Sequence, residues 1–182
     1  EKMRIACRSV RETFLIELLL STWARVSEVA NIKLSDIDDD KILVHGKGDK
    51  DRFVYLNAKA KVNLDRYLAE RKDFNPYLFP RSKSITVMEK NGITKKDMAN
   101  WYKCVENVDD FLPCDKGTIE SLIRRIGKRA GVKNVHPHKF RRTGATNALQ
   151  SGMSLLTVSK LLGHNSIATT QIYLDISDKE LE

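Results

Sequence analysis

The sequence predicts an α+β protein, mainly helical, with a small antiparallel β-sheet on one side. Three observations carry this. Most of the chain breaks into helix-length segments with apolar residues at helical spacing and recognisable caps. One stretch, "KILVHGKGDKDRFVYL", has the β-rich runs of a hairpin. At 182 residues and 41% hydrophobic, the chain suits one domain with a real core.

Taken in order, "SVRETFLIELLLSTWA" has apolar residues on more than one face and reads as a largely buried helix. "RVSEVANIKL" continues it as a short helix after a break. Ile42 to Val44 and Phe53 to Leu56 are the hairpin strands, with a Gly- and Asp-containing turn between them. Asn57 is placed to cap "AKAKVNLDRYLAERK", and "NPYLFPRS" is a Pro-bounded extended piece. Residues 83 to 114 lack a clean period and read as an insertion with some helix of its own. "TIESLIRRIGKRAGV" is a helix ending near Gly131. Three short helices follow. "PHKFRRTGATNALQ" starts with Pro137 and is followed by Gly152; "SLLTVSKLL" is capped by Ser154 and closed by Gly163; "SIATTQIYLDI" is capped by Ser166. The acidic run at Asp36 and Asp38 to Asp40 reads as turn and surface.

The net charge of +8 and pI of about 9.4 favour a polyanionic partner, nucleic acid before an anionic membrane. Cys7, Cys104 and Cys114 are too few and too odd for a disulfide framework. With His136 they match no zinc spacing, so free thiols in a reducing cytosol are expected. No apolar run reaches membrane-spanning length and no signal peptide is visible. The opening "EKMRIACRSV" has no initiator Met, which suggests a fragment missing an N-terminal domain.

Six polar residues stand out. Arg25 opens "RVSEV" beside a buried segment and needs an anion; Glu28, three residues on, could be that partner. The plainer reading is a structural Arg–Glu pair. Lys47 lies between Gly46 and Gly48 at the hairpin tip, where it could reach a phosphate or a leaving oxygen; the plainer reading, a solvated turn, suits Lys50 and Arg52 better. His138 and Arg141 share a face at the start of a helix, where backbone N–H groups and the dipole favour a phosphate. Arg142 points elsewhere, to a DNA backbone or simply to solvent. His164 follows Gly163 and could be a helix cap, and Tyr173 could be ordinary amphipathic packing. Together, two guanidiniums, an ammonium, two imidazoles and a phenol suit nucleophilic attack on a phosphodiester. Arginines hold nonbridging oxygens and stabilise the phosphorane; a phenol with a pKa of about 10 needs cations and a proton acceptor; the leaving alkoxide needs a donor. This chemistry requires no metal or other cofactor.

The segments "ARVSEVANIKLSDID", "VHGKGDKDRFVYL", "HPHKFRRTGATNAL" and "LLGHNSIATTQIYLDIS" resemble the catalytic domain of the tyrosine recombinase (lambda-integrase) family, of the Xer and conjugative-transposon integrase kind. They are spread from residue 24 to residue 177, on both sides of residues 83 to 114. The resemblance implies that Tyr173 attacks the scissile phosphate to form a 3′-phosphotyrosine and release a 5′-hydroxyl. It implies that Arg25 and Arg141 bind the phosphate, Lys47 is the general acid, His138 is the tyrosine's proton partner, and His164 hydrogen-bonds the phosphate. Glu28 would orient the site. It implies double-stranded DNA as partner, a tetramer on synapsed DNA (the fragment alone monomeric), no membrane, and a cytoplasmic, nucleoid-associated location. Phe140 replaces the family's usual leucine, a packing change. Arg124 with Lys128 and Arg125 with Arg129, at i, i+4, form ridges suited to tracking DNA phosphates and equally to a solvated face. Two alternatives stay open, a type IB topoisomerase and a catalytically inactive DNA-binding relative.

Overall fold

A helix that is apolar on several faces must be covered on several sides. The segment Val10–Thr22 (α2) is such a helix, with Phe14, Leu15, Ile16, Leu18 and Leu19 all buried. The structure, a computed structural model, describes residues 1–46, 50–73, 75–81, 112–164 and 166–171. Around α2 lie α1 (Lys2–Ile5), α3 (Val26–Asn31), α4 (Ala58–Glu70), α5 (Lys116–Arg129), α6 (Pro137–Gln150) and α7 (Leu155–Leu162). A three-stranded antiparallel sheet of β1 (Ile37–Asp38), β2 (Lys41–Gly46) and β3 (Lys50–Tyr55), in the order β1-β2-β3, sits to one side. The α+β class, mainly helical with a small sheet, is therefore what forms. Among the described residues, no helix is long and apolar enough to cross a membrane.

α2 packs against α4, α6 and α5 and touches β3. Phe14, Tyr67 and Phe79 stack with centroids 5.4 to 5.7 Å apart, and the Tyr67 hydroxyl donates to the Leu78 carbonyl at 2.8 Å. Two glutamates are buried on α2 because each has a guanidinium: Arg4 forks onto Glu17 at 2.6 and 3.0 Å, and Arg129 bonds Glu12. A smaller apolar cluster of Ala145, Val158 and Leu162, with Trp23, Ala148 and Leu149 against it, holds α7 on α6.

The expected caps form. The side chains of Asn57 and Ser154 accept from the Ala60 and Thr157 N–H groups, and Gly163 closes α7 in the left-handed region at φ 63°. Ser166 accepts from the Ala168 N–H at 3.3 Å, and 168–171 are helical. Two expectations need correction. The acidic run, read as turn and surface, is in part strand: after a 3-10 turn at Leu34–Asp36, in which Asp36 accepts from the Lys33 N–H, Ile37–Asp38 pair with β2. Arg52, read as solvated turn, has a side chain only 12% exposed. It pairs in register with Val44, so strand alternation puts it with buried Val54 on the inner face. The extended piece also pairs, since the Leu34 and Leu78 N–H groups donate to Pro76 and Ile32 at 2.7 Å.

Residues 82–111, most of the expected insertion, lie outside the described residues, as do Lys47, Cys104 and Tyr173. Its last three residues rejoin the body: the Arg81 N–H donates to Leu112, and the Cys114 N–H to Phe79 at 2.7 Å. Cys7 and Cys114 carry free thiols.

Candidate active site

The last carbonyls of a helix have no partner within it and form its negative end. At the C-terminus of α7, three consecutive carbonyls each accept from a different arginine. Arg52 Nε, from β3, donates to Leu161 at 3.1 Å; Arg141 Nη2, from α6, donates to Leu162; Arg25 Nη2, preceding α3, donates to Gly163 at 3.4 Å. Elements far apart in sequence thus bring three guanidiniums to one point. His164 follows directly.

Each arginine has a second anchor. Glu28, 3% exposed, accepts four bonds on its two oxygens: from the Arg25 backbone N–H (2.7 Å), Arg25 Nη1 (2.9 Å), and Arg52 Nη1 and Nη2 (2.6 and 2.9 Å). Burial alone would raise its carboxyl pKa. The fork from Arg52 and the Arg25 bonds outweigh this and hold it below the usual carboxylate range. Arg141, 4% exposed, donates Nη1 to the Trp23 carbonyl at 2.7 Å, at the C-terminus of α2. The Arg25 side chain stays 35% exposed. The structural Arg25–Glu28 pair and the convergence with Arg141 are therefore both present.

Trp23 sets the turn from α2 to Arg25. It caps α2 in the left-handed region at φ 51°, unusual for an aromatic residue. Its indole N–H donates to Leu20 at 3.0 Å, and its ring lies where a side chain at Gly144 of α6 would stand. Only glycine allows that approach.

His164 Nδ1 lies 2.8 Å from the Thr170 hydroxyl. Burial, then the fields of Arg141, Arg25 and Arg52, push its pKa down to about 4, so the imidazole is neutral at pH 7. The unfolded chain takes up that proton near the ordinary histidine value of about 6.5. Between the two values the unfolded state binds more protons, so stability falls as pH falls from about 6.5 to about 4. In His164→Asn the fall in urea midpoint between pH 6.5 and 4.5 should be shallower than in the unsubstituted chain. Parallel curves would contradict the low pKa.

His138 is exposed in the first turn of α6, one turn before Arg141, with its ring 6.4 Å from that of His136. Gly46 and Lys50 are the last paired residues of β2 and β3, and Lys47, which follows Gly46, lies outside the described residues. Arg142 is exposed. On α5, Arg124, Arg125 and Lys128 are exposed, and Arg124 also pairs with Glu120 at 3.1 Å. Arg129 departs from the phosphate-tracking expectation: its Nε donates to the Ala6 carbonyl at 3.1 Å and it pairs with Glu12, tying α5 to α1 and α2. A cleft of about 860 Å³ runs beside the exposed face of α5, lined by Arg124, Lys128, Lys133 and His136 with Gly127 and Val132. Arg52 is the site residue that sequence reasoning missed.

The profile of the phage integrase family matches residues 1–180. The chain belongs to the phage integrase family. This integrase-family chain is 35% identical over 176 residues to tyrosine recombinase XerC of Staphylococcus epidermidis, covering 96% of itself and 52% of that protein. It is 33% identical to tyrosine recombinase XerA of Pyrococcus horikoshii, covering 95% and 53%. It thus spans about half the length of the curated relatives it matches. A crystal structure of XerA recombinase superposes with a TM-score of 0.71 at 32% identity, covering 94% of this chain and 54% of that one. XerH recombinase bound to palindromic difH substrate in a post-cleavage complex gives 0.72 at 25% identity, covering 100% and 48%.

Proposed function

We propose that this chain is the catalytic domain of a site-specific DNA recombinase that cleaves and rejoins strands through a 3′-phosphotyrosine. The observation that supports it best is the cluster at the end of α7: three guanidiniums and a neutral imidazole, with one arginine half-open to solvent. Fixed cations in a partly buried site suit a phosphorane, whose charge grows during attack. Membership of the family and the recombinases among the relatives point the same way.

The steps assigned are these. The Tyr173 oxygen attacks phosphorus, its proton passing to His138, and the bond to the 5′-oxygen breaks as Lys47 protonates that oxygen. Arg25 and Arg141 hold the nonbridging oxygens. His164 is assigned the tautomer with its proton on Nε2, Thr170 then donating to Nδ1, so that Nε2 gives a hydrogen bond to the phosphate. A 5′-hydroxyl from a second duplex then gives its proton to Lys47 and attacks the phosphotyrosine, and the bond from phosphorus to the Tyr173 oxygen breaks as that oxygen takes its proton back from His138, so the phosphoester energy is kept and no ATP is consumed. Exchange of two duplexes calls for a tetramer on synapsed DNA. Arg124, Arg125, Lys128 and Arg142 are assigned to the DNA backbone.

A pool of nicked duplexes with randomised arms tests this. Covalent adducts surviving denaturation in SDS should form in the presence of EDTA, and their peptide mass should map to Tyr173. Failure to form an adduct in any sequence context at low salt would refute the reading. Relaxation of supercoiled plasmid without site preference would favour a type IB topoisomerase instead.

A further inference from the structure

Arg52 is the one guanidinium of the cluster to which the steps above assign no contact with the phosphate. Its side chain is 12% exposed and its donors face inward: Nη1 and Nη2 fork onto Glu28, and Nε bonds the Leu161 carbonyl. It also fills the space above Gly163, where an added Cβ would stand 2.9 Å from Arg52 Cδ and 3.1 Å from Nε. Through these contacts one side chain on the hairpin reaches the carboxylate that holds Arg25 and the helix end that precedes His164. Arg52 is also five residues after Lys47 on the same hairpin.

We propose that Arg52 is a positioning residue, whose two-pronged bond to Glu28 and bond to Leu161 lock the hairpin, Arg25 and the His164 turn into one rigid phosphate cradle. It rests on the strand-cleavage reading above. The bond must be a planar fork, because both Glu28 oxygens already take a bond from Arg25 and only parallel donors reach both again. A lysine keeps the charge but engages as a point.

The test uses the full chain and a nicked duplex recovered from the randomised pool by the unsubstituted protein. Arg52→Lys should lower the rate of adduct formation at saturating DNA by about tenfold or more, the scale for a misplaced reacting group. The half-saturating DNA concentration should stay within about twofold, because Arg124, Arg125, Lys128 and Arg142, assigned to the DNA backbone, are untouched. In a Glu28→Gln background the same substitution should cost less than about twofold, since both changes break one link. In Arg52→Lys the His164 ring, followed by NMR, should keep its low pKa because the charge remains; in Arg52→Ala it should move up. No adduct with the unsubstituted protein would sink the strand-cleavage reading. An adduct whose rate is indifferent to Arg52→Lys, or fully additive losses, would overturn the positioning role alone. Unfolding of the lysine variant would make Arg52 purely structural and overturn it too.

Discussion

Arg141→Ala is expected to cut adduct formation by at least ~100-fold, the scale for losing a preorganised donor to a developing oxyanion, and to destabilise the fold as well. The second effect follows from burial. Arg141 is 4% exposed and joins the carbonyl end of α2 at Trp23 to that of α7 at Leu162. Truncation leaves two carbonyls without their donor, costing about 1–3 kcal/mol each if water cannot enter. Arg25→Ala should match the loss of cleavage with much less loss of stability, because its side chain is 35% exposed and solvent can replace it. Arg141→Lys separates the effects, keeping charge and restoring part of the stability while losing the geometry. Rates on the nicked duplex and urea midpoints check both. Near-normal cleavage by either alanine variant would remove that arginine from phosphate binding.

Glu28→Ala should be the most destabilising single change among the site residues, by about 3–5 kcal/mol, the cost of stripping one partner from a buried ion pair. Glu28 neutralises two guanidiniums at once, and Arg52 has little access to water. Glu28→Gln should cost less, as it keeps an oxygen acceptor but must point an NH₂ at one arginine. The depressed Glu28 carboxyl gives the sign with pH. Its contribution is present above the unfolded carboxylate value of about 4.3 and is lost as pH falls through the lower folded value. Equilibrium urea unfolding at pH 7 measures this. A change below about 1 kcal/mol would mean that the arginines rehydrate and the link is weak.

Most helices could be read from the sequence because their signals are local: Asn57, Ser154 and Gly163 announce helix ends by backbone chemistry, whatever packs around them. The hairpin was legible by its alternating runs. β1 was not, because two residues inside an acidic run carry no period, and pairing with β2 makes them a strand. Arg25 was legible as a charge beside a buried segment that needs a partner, with Glu28 as that partner, and Arg141 as a helix-start cation sharing a face with His138. Arg52 was hidden by its company in "GDKDR", where neighbouring charges suggest solvent. Two clues were present. The alternation that buries Val54 also turns residue 52 inward, and a buried glutamate can take more than one cation. Arg129 failed in the opposite sense, since helical spacing matched it with Arg125 while the glutamate that claims it lies over a hundred residues away.

The indole of Trp23 and the bare backbone of Gly144 fit so closely that position 144 cannot grow alone. A library randomised at 144 should return glycine almost exclusively, unless position 23 is allowed to shrink at the same time. Diversifying the start of α3 or the middle of α6 would therefore need to treat 23 and 144 as one inherited unit.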